Sequence, residues 1–187
     1  MDNANPRQLE EDINFIRQAV EERDQNQGLV GLVLLWALVG LTGYALLDYS
    51  VRLALWFWAI APLVGVVVSY WVVRRTMCQS GVDYGDRGGR HALHWCSFIG
   101  TSLAVLSITA VHDLSGLAQG QLFTLMSGII WYFAGVHLDR RFMAPGLALV
   151  VGAIAVPFIP VLPWTTVGLA LALSLIGSVL WMRPKYA

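Results

Sequence analysis

The sequence predicts an all-α integral membrane protein, with six transmembrane helices arranged as three hairpins and preceded by a cytoplasmic amphipathic helix. Three observations predict it. Of 187 residues, 57% are hydrophobic and 13% charged, whereas a soluble domain carries about 25% charged residues. Six apolar stretches of roughly twenty residues recur, the length of helix that crosses a hydrocarbon core of ~30 Å. The longest internal polar segment, residues 74–90 (RRTMCQSGVDYGDRGGR), lies between such stretches on both sides. The chain therefore divides into a polar head, 1–28, and a membrane domain, 29–187.

The head reads as one helix. Asn5-Pro6 is a helix start, with Asn as N-cap and Pro in the first turn. Glu10, Glu11 and Asp12 follow where the helix dipole favours acids. Leu9, Ile13, Ile16 and Val20 then recur along one stripe, and Phe15 widens it. Seven of the twelve acids lie in the first 24 residues, so an anionic lipid surface should repel this helix. Two roles fit: a solvated helix resting on the protein's own cytoplasmic face, or a docking helix for a partner or second subunit. So polar a start is not expected to act as a cleavable signal peptide.

The predicted spans are 29–47, 53–73, 92–111, 114–136, 142–162 and 164–182. A backbone in lipid must satisfy its own hydrogen bonds, so each is read as a helix; none alternates as a barrel strand would. Pro62 should kink the second helix. VPFIPVLPW should close the fifth and turn into the sixth. Eleven of the twelve basic residues, all but Arg52, fall on one side of this topology. Positive charge stays in the cytoplasm, which places both termini and residues 74–90 there. Trp56, Trp58, Trp71, Trp95, Trp164 and Trp181 fall near the expected interfaces, where amphipathic rings anchor.

Small residues four apart let membrane helices approach closely. Gly116 with Gly120, Ala148 with Gly152, and Gly168 with Ala172 have that spacing. They are expected to pack helices within the chain or between subunits.

Chemistry is sparse. A formal net charge of zero excludes a basic footprint for nucleic acid. His91 and His94 share a helix side and, with Cys96, Cys78 or His137, form the one candidate group for zinc. No CxxC or HExxH accompanies them, so no bound metal is expected. No histidine lies mid-span, where a haem would need it, so no cofactor is expected either. The predicted spans contain no Asp, Glu, Lys or Arg. Intramembrane charge marks pumps and coupled carriers, and its absence argues against those classes. Gln119 and Gln121 are the most costly groups to leave unpaired and should face protein or water. There is no GxSxG, and residues 83–89 lack the later ligand of a calcium loop and the lysine of a phosphate loop.

The motif Asp12-Ile13-Asn14-Phe15-Ile16-Arg17, followed by Glu21 or Glu22, resembles the start of a group of small bacterial multi-pass proteins. Gly128, Tyr132, Gly135 and Pro145-Gly146 are similar to that group's glycine and proline pattern. Here the acid after Phe-Ile-Arg is displaced and the loop after the second helix is longer. The resemblance implies a bacterial inner-membrane protein and implies no activity. The expected function is non-enzymatic: an accessory, regulatory or scaffolding subunit acting through helix packing and the N-terminal docking helix. Its expected partners are the bilayer and another membrane protein or a second copy. An oligomeric channel or facilitator for an ion or small neutral solute is the alternative, and a metal- or haem-binding enzyme subunit the third.

Overall fold

The computed structural model describes Phe15 and residues 30–80, 85–112 and 114–181. Helices dominate, and no strand occurs among the described residues. Six long helices follow in order: α1 (Val30–Tyr49), α2 (Val51–Ser80), α3 (Gly85–Val111), α4 (Gly116–His137), α5 (Met143–Ala155) and α6 (Pro163–Trp181). Short 3-10 turns, Arg140–Phe142 and Val156–Phe158, flank α5.

Five of these elements are long and apolar enough to cross a membrane: α1, α2, α3, α5 with its flanking turns, and α6. The remaining helix, α4, has the length at 22 residues. Its glycines, Gln119, Gln121 and His137 dilute its hydropathy, which suits a helix that packs against others along its length.

Consecutive helices run antiparallel. Gly43 of α1 lies against Trp58 of α2, and Gly65 of α2 against Trp36 of α1. In the same way Gly128 and Gly135 of α4 meet α5 at Gly146 and Met143, and Gly152 of α5 meets Val167 of α6. Helix α6 closes back on α1, with Gly168 against Leu41 and Tyr44. The start of α1, the end of α2, the start of α3 and the joint between α4 and α5 therefore share one end of the bundle. That end carries Arg74, Arg75, Arg90, Arg140 and Arg141, and Arg52 sits at the other.

The core lies between α1, α4, α5 and α6. It gathers Ala37, Tyr44, Leu149, Val156, Trp164, Val167, Leu171, Ala172 and Leu175. Helices α2 and α3 are peripheral. Of their apolar stretches, 11% and 6% are buried within the chain, against 28% to 33% for α1, α5 and α6. The first and third expected hairpins pack along their length, α1 on α2 and α5 on α6, but they are not the largest contact. Between α2 and α6 the most extensive interface joins α4 to α5, across the second and third hairpins.

Three other expectations are corrected. Residues 74–90 were expected to form a loop, but residues up to Ser80 belong to α2 and those from Gly85 to α3. No proline interrupts that stretch, and outside a bilayer a helix still satisfies its backbone more completely than an open loop does. The fifth helix ends at Ala155 rather than near 162, because Pro157 removes a donor and the chain tightens into a 3-10 turn. Trp164, expected as an interfacial anchor, is buried and stacks on Tyr44 with ring centroids 6.2 Å apart. Trp56 and Trp71 do lie exposed. Pro62 sits inside α2, which runs through it as continuous helix.

Candidate functional site

The residues expected to carry function fall in three places. The docking stripe Leu9, Ile13, Ile16 and Val20 lies outside the described residues. Phe15 is helical and 72% exposed.

The second place is the arginine-bearing end of α3. His91 and His94 are both half-buried there, and His91 lies within the electrostatic reach of His94 and Asp139. His94 packs edge-on against Trp95, and its Nε2 is buried with no hydrogen-bond partner among the described residues. Cys96 is exposed. His137 is exposed too, stacked on Phe133 of its own helix. Among the described residues no three of His, Cys, Asp and Glu come together to hold a metal ion. The helical turn explains this: two residues beyond His94, Cys96 is rotated away from the histidine side. What gathers here instead is a triangle of rings. Trp95, Trp131 and Phe142 contact one another edge to face, each pair with centroids 5.8 Å apart. They lock α3 to the joint between α4 and α5. Asp139 shapes that joint: its Oδ1 accepts from the Arg141 backbone N–H at 3.0 Å.

The third place is the set of helix contacts. Of the predicted packing pairs, Gly116 and Gly120 do not act together within the chain. Nothing lies near Gly116, and Gly120 makes room for the Trp164 ring. Ala148 is half-buried, Gly152 packs on Val167, and Gly168 meets the α1 backbone at Leu41. Ala172 is in the core. The closest approach belongs to residues outside those pairs. A Cβ at Gly128 would come within 2.9 Å of the Gly146 carbonyl oxygen, and one at Gly146 would strike the Tyr132 backbone. A Cβ at Gly135 would strike Met143. Backbone meets backbone along this α4–α5 crossing, which only glycine permits.

One polar group inside the bundle is tied to the backbone of a neighbouring helix. Gln121 Nε2 donates to the Ala153 carbonyl of α5 at 2.9 Å. That carbonyl would otherwise pair with the N–H of residue 157, which is proline. A glutamine from α4 thus supplies the donor that the proline removes from α5. Losing it should cost about 1–3 kcal/mol, the desolvation penalty of an orphaned acceptor. The expected result is that Gln121→Leu lowers stability in detergent, and that the loss shrinks when Pro157→Ala restores a backbone N–H. Additive losses in that double-mutant cycle would show that the two sites do not share the carbonyl.

Helix α3 has two sides. His91, Trp95, Phe98, Ser102, Val105 and Thr109 alternate at spacings of four and three, and all are half-buried or buried. This is the seam that faces the bundle. On the opposite side Cys96, Gly100 and Ala104 are each four apart and all exposed, with open space at Gly100. Ser97, Thr101 and Ser107 flank them, and each hydroxyl donates back to the carbonyl four residues earlier. The four-residue spacing of Cys96, Gly100 and Ala104 is visible in the sequence.

No known protein family, no curated protein and no solved structure matches this chain.

Proposed function

We propose that the chain is a six-span subunit of a bacterial inner membrane, with both termini and the arginine-bearing end in the cytoplasm. In this reading it acts without catalysis, as a scaffold that holds another membrane protein through helix packing and through its N-terminal docking helix. The resemblance at residues 12–17 supports the bacterial setting, and the segregation of arginines supports the orientation.

The observation that carries the reading is the two-sided character of α3. A helix turned only toward lipid keeps bulky side chains outward, as α2 does with Leu53, Leu55, Trp56, Ile60, Leu63, Val64 and Val67. The outward side of α3 begins and ends with exposed Leu93 and Val111, but between them it presents Cys96, Gly100 and Ala104, the pattern that lets a second helix approach closely. Its hydroxyls are already satisfied by their own helix, so nothing there requires water.

Extraction from native membrane in mild detergent tests this. The wild-type chain should bring a membrane protein with it, and Gly100→Leu with Ala104→Leu should lose that protein while melting at the wild-type temperature. A variant that retains the same companion would overturn the role of α3. Solute flux through the purified chain in proteoliposomes would favour the channel reading instead.

A further inference from the structure

We propose that the acidic N-terminal segment, residues 6–24, docks in the resting protein on the chain's own exposed surface at the ends of α2 and α3. The proposal rests on the reading of that segment as a docking helix, and it assigns the surface that receives it.

Three observations carry the assignment. The first is charge. Residues 1–28 hold seven carboxylates against three arginines. At the end of the bundle where α1 begins, Arg74, Arg75, Arg90 and Arg140 are exposed. None of the four has a carboxylate partner among the described residues; the ion pair found there joins Arg141 to Asp139. Arg75 lies over the Trp71 ring at 5.5 Å. The second is aromatic surface beside that charge, at the boundary of the span. Tyr70 and Trp71, in the last turns of the apolar stretch of α2, are exposed at this end. A stripe of Leu9, Ile13, Ile16 and Val20 needs such cover, because a helix of this length is marginal alone in water. The third is the tether. Five residues separate Asp24 from Val30, the start of α1, a reach of about 20 Å at full extension. So short a link holds the segment at millimolar effective concentration near the surface. Single exposed ion pairs are weak, and the tether lets several of them act together. Anionic lipid competes for the same arginines but repels the segment's carboxylates.

The test uses the full chain in nanodiscs of zwitterionic lipid, with Cys78→Ser and Cys96→Ser. Spin labels at Gln18→Cys and Val136→Cys report the distance by pulsed electron resonance. The expected result is a single narrow distance peak. Arg74→Glu with Arg75→Glu should abolish the peak, and adding Glu21→Arg with Glu22→Arg should restore it. A broad distribution in the unmutated surface would overturn the proposal, as would a peak that ignores the reversal. So would a peak found only in anionic lipid, which would assign the arginines to headgroups. A signal between singly labelled chains would assign the segment to a second copy, and that also overturns docking in cis. None of these outcomes touches the companion protein read through Gly100 and Ala104, so the two readings fail separately.

Discussion

Replacing Gly146 with alanine should unfold the protein at a markedly lower temperature, although alanine is the better helix former. Two effects of opposite sign meet at this position. Alanine in a helix interior gains about 1 kcal/mol over glycine. Against that, the new Cβ would strike the Tyr132 backbone and lie 2.8 Å from the Gly128 carbonyl oxygen. Both obstacles are backbone, so no side chain can swing away. Overpacking a filled interior costs about 1–3 kcal/mol, occasionally more, and an obstacle that cannot move places Gly146 at the upper end. The net expectation is a loss of about 2 kcal/mol or more. Gly177 of α6 provides the control, since nothing lies within 4 Å of a Cβ there. Gly177→Ala should be neutral or stabilising. Thermal unfolding of both variants in one detergent checks the pair. Equal responses would mean that the α4–α5 crossing is not close-packed around Gly146.

That contrast also shows how far the sequence could be read. Spacing alone finds small residues four apart, and by that rule Gly116 and Gly120 look like a packing face. Whether a glycine meets a backbone, a ring or nothing depends on how two helices cross, and no local pattern encodes the crossing. Gly116 turned out open, while Gly128 and Gly146 carry the interface. The helical class was legible because charge depletion and span length follow directly from the bilayer. The helices of residues 74–90 were not, because a polar segment between apolar ones looks the same whether it coils or continues a helix. Part of the geometry of the metal candidates was available in advance: His94 and Cys96 are two apart, a spacing that puts them on different sides of a helix. Gln121 was legible as a group needing a partner, but that partner, Ala153, lies 32 residues away and is orphaned by a proline on another helix.

The contact that sequence reading missed outright should give the second large effect. Helix α6 begins at Pro163, and Thr166 donates its N–H to the Leu162 carbonyl at 3.0 Å, so Leu162 occupies the N-cap position. Leucine has no acceptor with which to cap. It also adopts φ 47°, a left-handed conformation that costs an ordinary residue about 1–2 kcal/mol. Asp48, at the far end of α1, supplies what is missing. Its Oδ1 accepts from the Trp164 N–H at 3.2 Å, and its Oδ2 accepts from the Thr165 N–H and Thr165 Oγ1, each at 2.7 Å. These are the two backbone donors that an N-cap side chain normally satisfies, reached here from another helix. The carboxylate also faces the positive end of the α6 dipole. The same bond fixes the first turn of α6, and with it the Trp164 ring that stacks on Tyr44 and fills the space beside Gly120. Removing an N-cap costs about 1 kcal/mol on its own. Stranding a hydroxyl and two backbone donors at a tightly packed helix start raises the expected loss for Asp48→Ala to about 2–3 kcal/mol. Asp48→Asn keeps one acceptor oxygen and no charge, so it should fall between alanine and the wild type. Thr165→Val removes only the hydroxyl donor and should cost least of the three. Unfolding midpoints in that order, read in the same detergent, would establish Asp48 as the cap of α6. An Asp48→Ala protein within about 0.5 kcal/mol of the wild type, the range of an ordinary surface change, would mean that water satisfies this helix start and that α1 and α6 are held by the core alone.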